Sequence, residues 1–258
     1  MPHSKPGSVQ LVGAGPGAAD LMTIRAIRAI EAADVILFDA LVTDDIRALF
    51  PAHVRAIEVG KRGHRPSTSQ DFINRLMVRL ARTGARVVRL KGGDPSVFGR
   101  AAEERAYLEH HGIAVEVIPG VTTASAAAAE FGFSLTTRAS ARRILFATGR
   151  TLEGAAKDWA AAANPATTLC LYMGCADIGS ISEKLIAAGL PGATPAIAAI
   201  DVSRPTSRLI RSTAAGIAEA LRCESLSGPV FICIGAACAD AAALREAYRT
   251  TIAVNGQT

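Results

Sequence analysis

The sequence lacks any run of about 20 apolar residues of the kind that crosses a bilayer. Its longest uncharged stretch, 159–176, is interrupted by Asn164-Pro165 and several threonines, and 185–200 is broken by Gly189, Pro191, Gly192 and Pro195. No apolar core follows Met1, so no signal peptide is read; the chain is expected in the cytoplasm, without a membrane partner. No C-x-x-C pair occurs among Cys170, Cys175, Cys223, Cys233 and Cys238, and their odd number fits reduced, mostly structural thiols. Cys170 and Cys233 stand inside apolar runs, where a small hydrophobe suffices. The histidines are scattered without ligand spacing, so no metal is expected. Basic residues form no tail and crowd no single helix. The net charge of +5, carried mostly by arginine, therefore makes nucleic acid the weakest of three readings, beside a small polyanion and an ordinary basic surface.

What is present is a globular composition. Hydrophobic residues make up 50% and charged residues 20% of 258, enough for one large domain or two of ordinary size. Short β-branched runs at 9–12, 35–38, 54–59, 87–90 and 115–118 alternate with alanine-rich helical stretches. A second series follows at 144–147, 168–172, 196–200 and 230–234. The clearest helix spans 70–82, with Phe72, Ile73, Leu76, Met77 and Leu80 on one face, Ser67 and Gln70 as a capping box, and Gly84 as its stop. A further helix is read at 122–131. This alternation predicts an α/β fold of two domains with mostly parallel central sheets. The register changes near Pro119-Gly120, which places an N-terminal domain at 8–119 and a C-terminal domain at 120–252. No internal repeat is visible, and both ends read as frayed.

Two loops carry the chemistry. Gly13-Ala14-Gly15-Pro16-Gly17 follows the first strand directly, where glycines let the backbone turn and approach a ligand. It resembles the G-x-G-x-x-G/A dinucleotide fingerprint, with Asp39 at the end of the second strand as a ribose-binding acid. Against this, Pro16 interrupts the loop, and the helical pattern begins only near Asp20, too late to offer its N-terminus to a pyrophosphate. A dinucleotide, another nucleotide-like ligand and a structural turn stay open on this loop alone. The second loop lies in Val87-Val88-Arg89-Leu90-Lys91-Gly92-Gly93-Asp94-Pro95-Ser96-Val97-Phe98-Gly99-Arg100, a buried strand running through paired glycines and Asp-Pro into a helix with Glu103 and Glu104. Asp-Pro favours an extended turn at the strand's carboxyl end, where open α/β sheets bind ligands.

On these strings the chain resembles the tetrapyrrole methylase family, and within it the branch that methylates uroporphyrinogen III. The resemblance covers roughly 9–236 and also draws on Ala33-Asp34-Val35, Gly60-Lys61-Arg62, Phe98-Gly99-Arg100, Pro119-Gly120-Val121-Thr122, Leu135-Thr136, Thr148-Gly149 and Tyr172-Met173-Gly174. It implies a homodimer that binds S-adenosylmethionine in a cleft between two α/β domains. It also implies methylation of two pyrrole carbons of uroporphyrinogen III to precorrin-2, with S-adenosylhomocysteine as by-product. Carried over, the cofactor contacts are Pro16, Gly92, Gly93, Asp94, Val97, Thr122, Thr123 and Met173, with backbone near Val202. Asp39 becomes the proton acceptor and Lys61 the proton donor.

Each of these residues also has a plainer reading. Asp39 could cap the helical segment 43–50 or hold a ribose, Lys61 could bind a propionate, and Met173 could be core. The substrate class is an octacarboxylate, and Arg25, Arg62, Arg89, Arg100 and Arg138 lie in or beside the motifs as candidate ligands for its arms. Ser96, Ala101-Ala102, Thr137 and Asp201 depart from the branch pattern of phenylalanine, paired glycines, histidine and asparagine. These departures bear on substrate choice, and a methylase of a later precorrin is the same-class alternative. A dinucleotide-dependent oxidoreductase is the alternative from another class.

Overall fold

The computed structural model describes residues 7–60, 69–149, 159–226 and 228–242. The chain divides into two compact units, residues 1–122 and 123–258. The sequence pattern explains the first unit strand by strand. Strands β1 (Ser8–Gly13), β2 (Val35–Phe38), β3 (Arg55–Glu58), β4 (Arg86–Lys91) and β5 (Ala114–Ile118) form one sheet in the order β3-β2-β4-β1-β5. Every pair in it is parallel. A parallel neighbour needs a crossover, and the apolar helices supply it.

Successive side chains of a strand point to opposite faces, and both faces are covered. Val9, Leu11, Val35, Leu37 and Val87 pack on one side with α3 (Gln70–Arg82) and with Leu108 of α4 (Ala101–His110). Val12, Ile36, Val88 and Leu90 pack on the other with Ala26 and Ile30 of α1 (Ile24–Ala32) and with Ile46 of α2 (Asp44–Arg47).

Helix α3 forms where the periodicity placed it, with two local differences. Its N-cap is Ser69, whose hydroxyl accepts from Phe72 N at 3.2 Å; Ser67 lies outside the described residues. Gln70 turns its amide to Asn74 and Glu104 instead of closing a capping box. Phe72, expected on the buried face, is half exposed. Gly84, at φ +89°, ends the helix as expected, because the left-handed turn there suits a residue without Cβ.

In the second unit α5 (Thr123–Glu130) leads to a sheet of β6 (Arg143–Thr148), β7 (Thr167–Tyr172), β8 (Pro195–Ile200), β9 (Arg208–Thr213) and β10 (Val230–Ile234), in the order β6-β7-β10-β8-β9. Only β6–β7 is parallel, so this sheet is mixed where the first is fully parallel. The short chain from Ile200 to Arg208 has no room for a crossover, and β8 and β9 must run antiparallel. Strand β9 escaped the sequence reading because Arg208, Arg211, Ser212 and Thr213 dilute its apolar signal, as suits an edge strand. Helices α6 (Ile178–Ala187) and α7 (Ile217–Arg222) cover one face through Ile181, Leu185, Ile217 and Leu221 against Leu169, Leu171, Ile232 and Ile234. Cys170 faces Cys233 across β7–β10, both fully buried. Hydrogen bonds with Cys170 and Cys238, together with burial, push the Cys233 thiol well above its usual range, as suits an inert packing group.

The parallel sheet brings the carboxyl ends of β1, β2, β4 and β5 to one edge. There the backbones after β1, β4 and β5 nearly touch. A Cβ on Gly120 would lie 2.3 Å from Gly93 O and 2.9 Å from Gly13 Cα, and one on Gly13 would lie 2.5 Å from Gly120 N. Gly120→Ala is therefore expected to cost about 1–3 kcal/mol through overpacking, read as a lower urea midpoint. An unchanged midpoint would show that the three segments have room to part.

Candidate functional site

Strands β1 and β4 lie side by side, yet their connections leave on opposite faces of the sheet, α1 on one and α4 on the other. Such a switch point is where open α/β sheets leave a crevice at the strands' carboxyl ends. Both glycine-rich loops are there, and they are joined. Gly93 N donates to Gly15 O at 2.7 Å, Gly15 N to Gly93 O at 3.2 Å, and Ala14 N to Lys91 O at 2.8 Å. Gly15 and Gly93 have φ of +73° and +69°, a region that favours glycine. A Cβ on Gly93 would meet nothing within 4 Å, so this backbone stays open to a ligand.

Asp94 fastens the loop pair. Its Oδ1 accepts from Ser96 N at 2.8 Å and its Oδ2 from Gly120 N at 3.0 Å, tying the turn after β4 to the segment after β5. Pro16 is buried, while Gly92, Gly93, Asp94, Val97 and Thr122 are partly exposed. Thr43 Oγ1 donates to Gly17 O at 2.6 Å, which holds the first loop from the side. Helix α1 starts only at Ile24, capped by Thr23, after a 3-10 turn at Ala19–Leu21. No α-helix N-terminus directly follows the glycine loop, so the geometry that a dinucleotide pyrophosphate uses is missing there.

Asp39 follows β2 and is partly exposed. It does not cap α2, whose N-cap is Thr43, and Arg89 Nη2 donates to its Oδ1. Arg89, expected to meet a substrate carboxylate, is itself buried and faces two of the protein's own. Its Nη1 donates to Leu90 O at 3.1 Å, and its Nε stands 3.5 Å from Glu104 Oε1. Lys91 Nζ donates to both oxygens of fully buried Glu104 at 3.0 Å, and Gln70 Nε2 adds a third donor at 2.8 Å. Burial and the Arg89 charge push the Lys91 ammonium down, against the opposing pull of Glu104 and Asp39. Sequence reasoning passed over this cluster. Its signal was there: Arg89 and Lys91 continue the alternation of Val87 on β4, which aims two cations at one interior face.

Other candidates fall in different surroundings. Arg25 and Arg138 are exposed. Arg100, at φ +60°, precedes α4 and pairs with Glu103 at 2.9 Å, which holds that carboxyl below its usual range. Lys61 and Arg62 lie outside the described residues.

The second unit has its own strained strand ends. Met173 after β7 is half exposed at φ +51°, and a Cβ on Gly149 after β6 would lie 2.2 Å from Gly174 Cα. Tyr172 OH accepts from Ala124 N at 3.2 Å in the first turn of α5, which Thr123 begins. After β8, Asp201 and Ser203 are left-handed on either side of buried Val202. Ser203 N donates to Glu130 Oε2 at 2.7 Å, and Asp201 Oδ2 accepts from Thr206 Oγ1 at 3.0 Å. Backbone strain of this kind gathers where loops serve ligands. Thr137 binds Ser140 and Ala141 within its own turn. Among the described residues no cluster of His, Cys, Asp and Glu could hold a metal, and no helix is long and apolar enough to cross a membrane.

Comparison with known proteins points the same way as the loops. The family model of tetrapyrrole (corrin/porphyrin) methylases matches residues 8–218. The uroporphyrinogen-III C-methyltransferase of Paracoccus denitrificans is 42% identical over 248 residues, 94% of this chain and 86% of that protein. The siroheme synthase of Azotobacter vinelandii is 44% identical over 89% of this chain, which spans only 50% of that relative's length. The crystal structure of a Thermus thermophilus uroporphyrin-III C-methyl transferase, complexed with S-adenosyl homocysteine, superposes with a TM-score of 0.76. It is 36% identical, over 89% of this chain and 97% of that one. A family match over most of the length, with a relative 42% identical across 94% of it, makes this chain a member of the tetrapyrrole (corrin/porphyrin) methylase family.

Proposed function

We propose that this chain uses S-adenosylmethionine to methylate two pyrrole carbons of uroporphyrinogen III, giving precorrin-2 and S-adenosylhomocysteine. The carrying observation is the joined pair of loops at the β1–β4 switch point, where Gly93 presents open backbone and Asp94 ties its turn to the segment after β5. The relatives named above support the substrate. A sulfonium methyl donor supplies an electrophilic carbon, and in-line displacement at it depends chiefly on how donor and acceptor are positioned. Pro16, Gly92, Gly93, Asp94, Val97 and Thr122 are assigned to that donor. Thr123, Met173 and Val202 carry the same assignment from the family likeness alone.

The macrocycle loses a proton as its ring carbon is methylated, and Asp39 takes that proton. Its carboxylate is oriented by Arg89 and still reaches solvent. Lys61 is assigned as proton donor. Arg25, Arg62, Arg100 and Arg138 remain the candidates for the acidic arms, whereas the buried ion pair of Arg89 suits orientation of Asp39 better. A cytoplasmic homodimer belongs to the same reading.

Anaerobic incubation with S-adenosylmethionine and enzymatically generated uroporphyrinogen III is expected to add two methyl groups by mass. Bound donor with no methyl gain would move the activity to a later precorrin. Asp94→Ala leaves Gly120 N and Ser96 N without their acceptor, at about 1–3 kcal/mol each, and S-adenosylmethionine affinity by calorimetry should fall about tenfold or more. Unchanged affinity would remove the Gly-Gly-Asp-Pro turn from the site. Asp39→Asn should keep that affinity and lower kcat by roughly 10²–10⁴. Full turnover would end its role as base.

A further inference from the structure

The interior of the first unit holds two cations and two carboxylates in one connected set. Glu104 is the innermost, fully buried on α4, and Lys91 and Arg89 project to it from β4. Asp39 is the outermost, its side chain 26% exposed, and only Arg89 of the two cations is hydrogen-bonded to it. The partnership is divided. Lys91 gives hydrogen bonds to both Glu104 oxygens, while Arg89 gives its Nη2 to Asp39 and finds no hydrogen-bond acceptor for its Nε. Glu104 is also held in place by Gln70, which is anchored to Asn74 in turn.

We propose that Glu104 is a positioning residue for methyl transfer: as the carboxylate that takes both hydrogen bonds from Lys91 and stands against Arg89, it leaves Asp39 with one hydrogen-bonded cation and so keeps that carboxylate able to accept the substrate's proton. This rests on Asp39 acting as the base. Without the Glu104 charge, two buried ammonium and guanidinium groups would share a single carboxylate, and buried cations seek a partner strongly. Asp39 would be drawn toward the interior to serve both cations, and away from the substrate's proton. Glu104 has no exposed atom through which to meet a substrate, so its influence runs through Lys91 and Arg89.

The test compares Glu104→Gln, Lys91→Met/Glu104→Gln and Asp39→Asn/Glu104→Gln with the parent and with Asp39→Asn, each shown folded by circular dichroism. Glu104→Gln should lower kcat about tenfold while KM and S-adenosylmethionine affinity stay within about twofold. Adding Lys91→Met removes the competing cation and should return kcat to within about threefold of the parent. In the Asp39→Asn background Glu104→Gln should cost nothing more, because the group it serves is gone. An equal loss in both backgrounds, or a double variant that folds and stays slow, would overturn the proposal and leave the base role of Asp39 standing. Should Glu104→Gln alone fail to fold, the charge-balanced double variant still decides by its kcat. Full turnover in Asp39→Asn would overturn the base reading and this proposal with it.

Discussion

Backbones that end neighbouring strands can approach to hydrogen-bonding distance at a crossing only where no Cβ stands between them, and this first unit meets that condition where the ends of β1, β4 and β5 converge. Gly13, Gly93 and Gly120 come from three different strand ends and leave no space for a methyl group at Gly13 or Gly120. The left-handed turns at Gly15 and Gly93 then aim their amides and carbonyls at each other. Asp94 completes the arrangement with a charged acceptor for two backbone donors, and such charge-assisted bonds are roughly twice as strong as neutral ones. The open flank of Gly93, the placement of Val97 and the approach of the chain into α4 all follow from this closure.

Beneath the loops lies a second constraint of opposite character. Burying Arg89, Lys91 and Glu104 is costly, and a hydrophobic trio of similar volume often serves stability as well. Its value lies elsewhere. A buried ion set fixes where each head group points, and here it fixes Asp39 at the mouth of the sheet edge. The fold thus places a rigid backbone cradle and a rigidly held carboxylate on one edge, which is what a reaction governed by positioning requires.

Much of the architecture was legible in the residues. The alternation of β-branched strands with amphipathic helices located every strand of the first sheet, and the strings around Gly13 and Gly92 marked the two loops that the structure joins. The misses have physical causes. Strand β9 is half polar because an edge strand faces water, so periodicity alone did not reveal it. The cap of α3 is Ser69, because the helix begins at Gln70, whose amide is engaged with Asn74 and, at long sequence separation, with Glu104. Arg89 looked like a substrate ligand because an arginine beside a motif suits carboxylates, and the carboxylates it found are the protein's own.

The sequence by itself determined the α/β class, the two glycine turns and the family, because these depend on local conformational preference and on strings of adjacent residues. Tertiary structure decided which groups became partners. Asp39 and Arg89 are fifty positions apart, Gly15 and Gly93 further still, and Asp94 meets Gly120 only after β5 has been laid beside β1. Parallel strands impose such separations, since each neighbour is reached through a crossover. A chain written in one dimension shows the charges and the glycines; only the packed sheet shows which charge neutralises which.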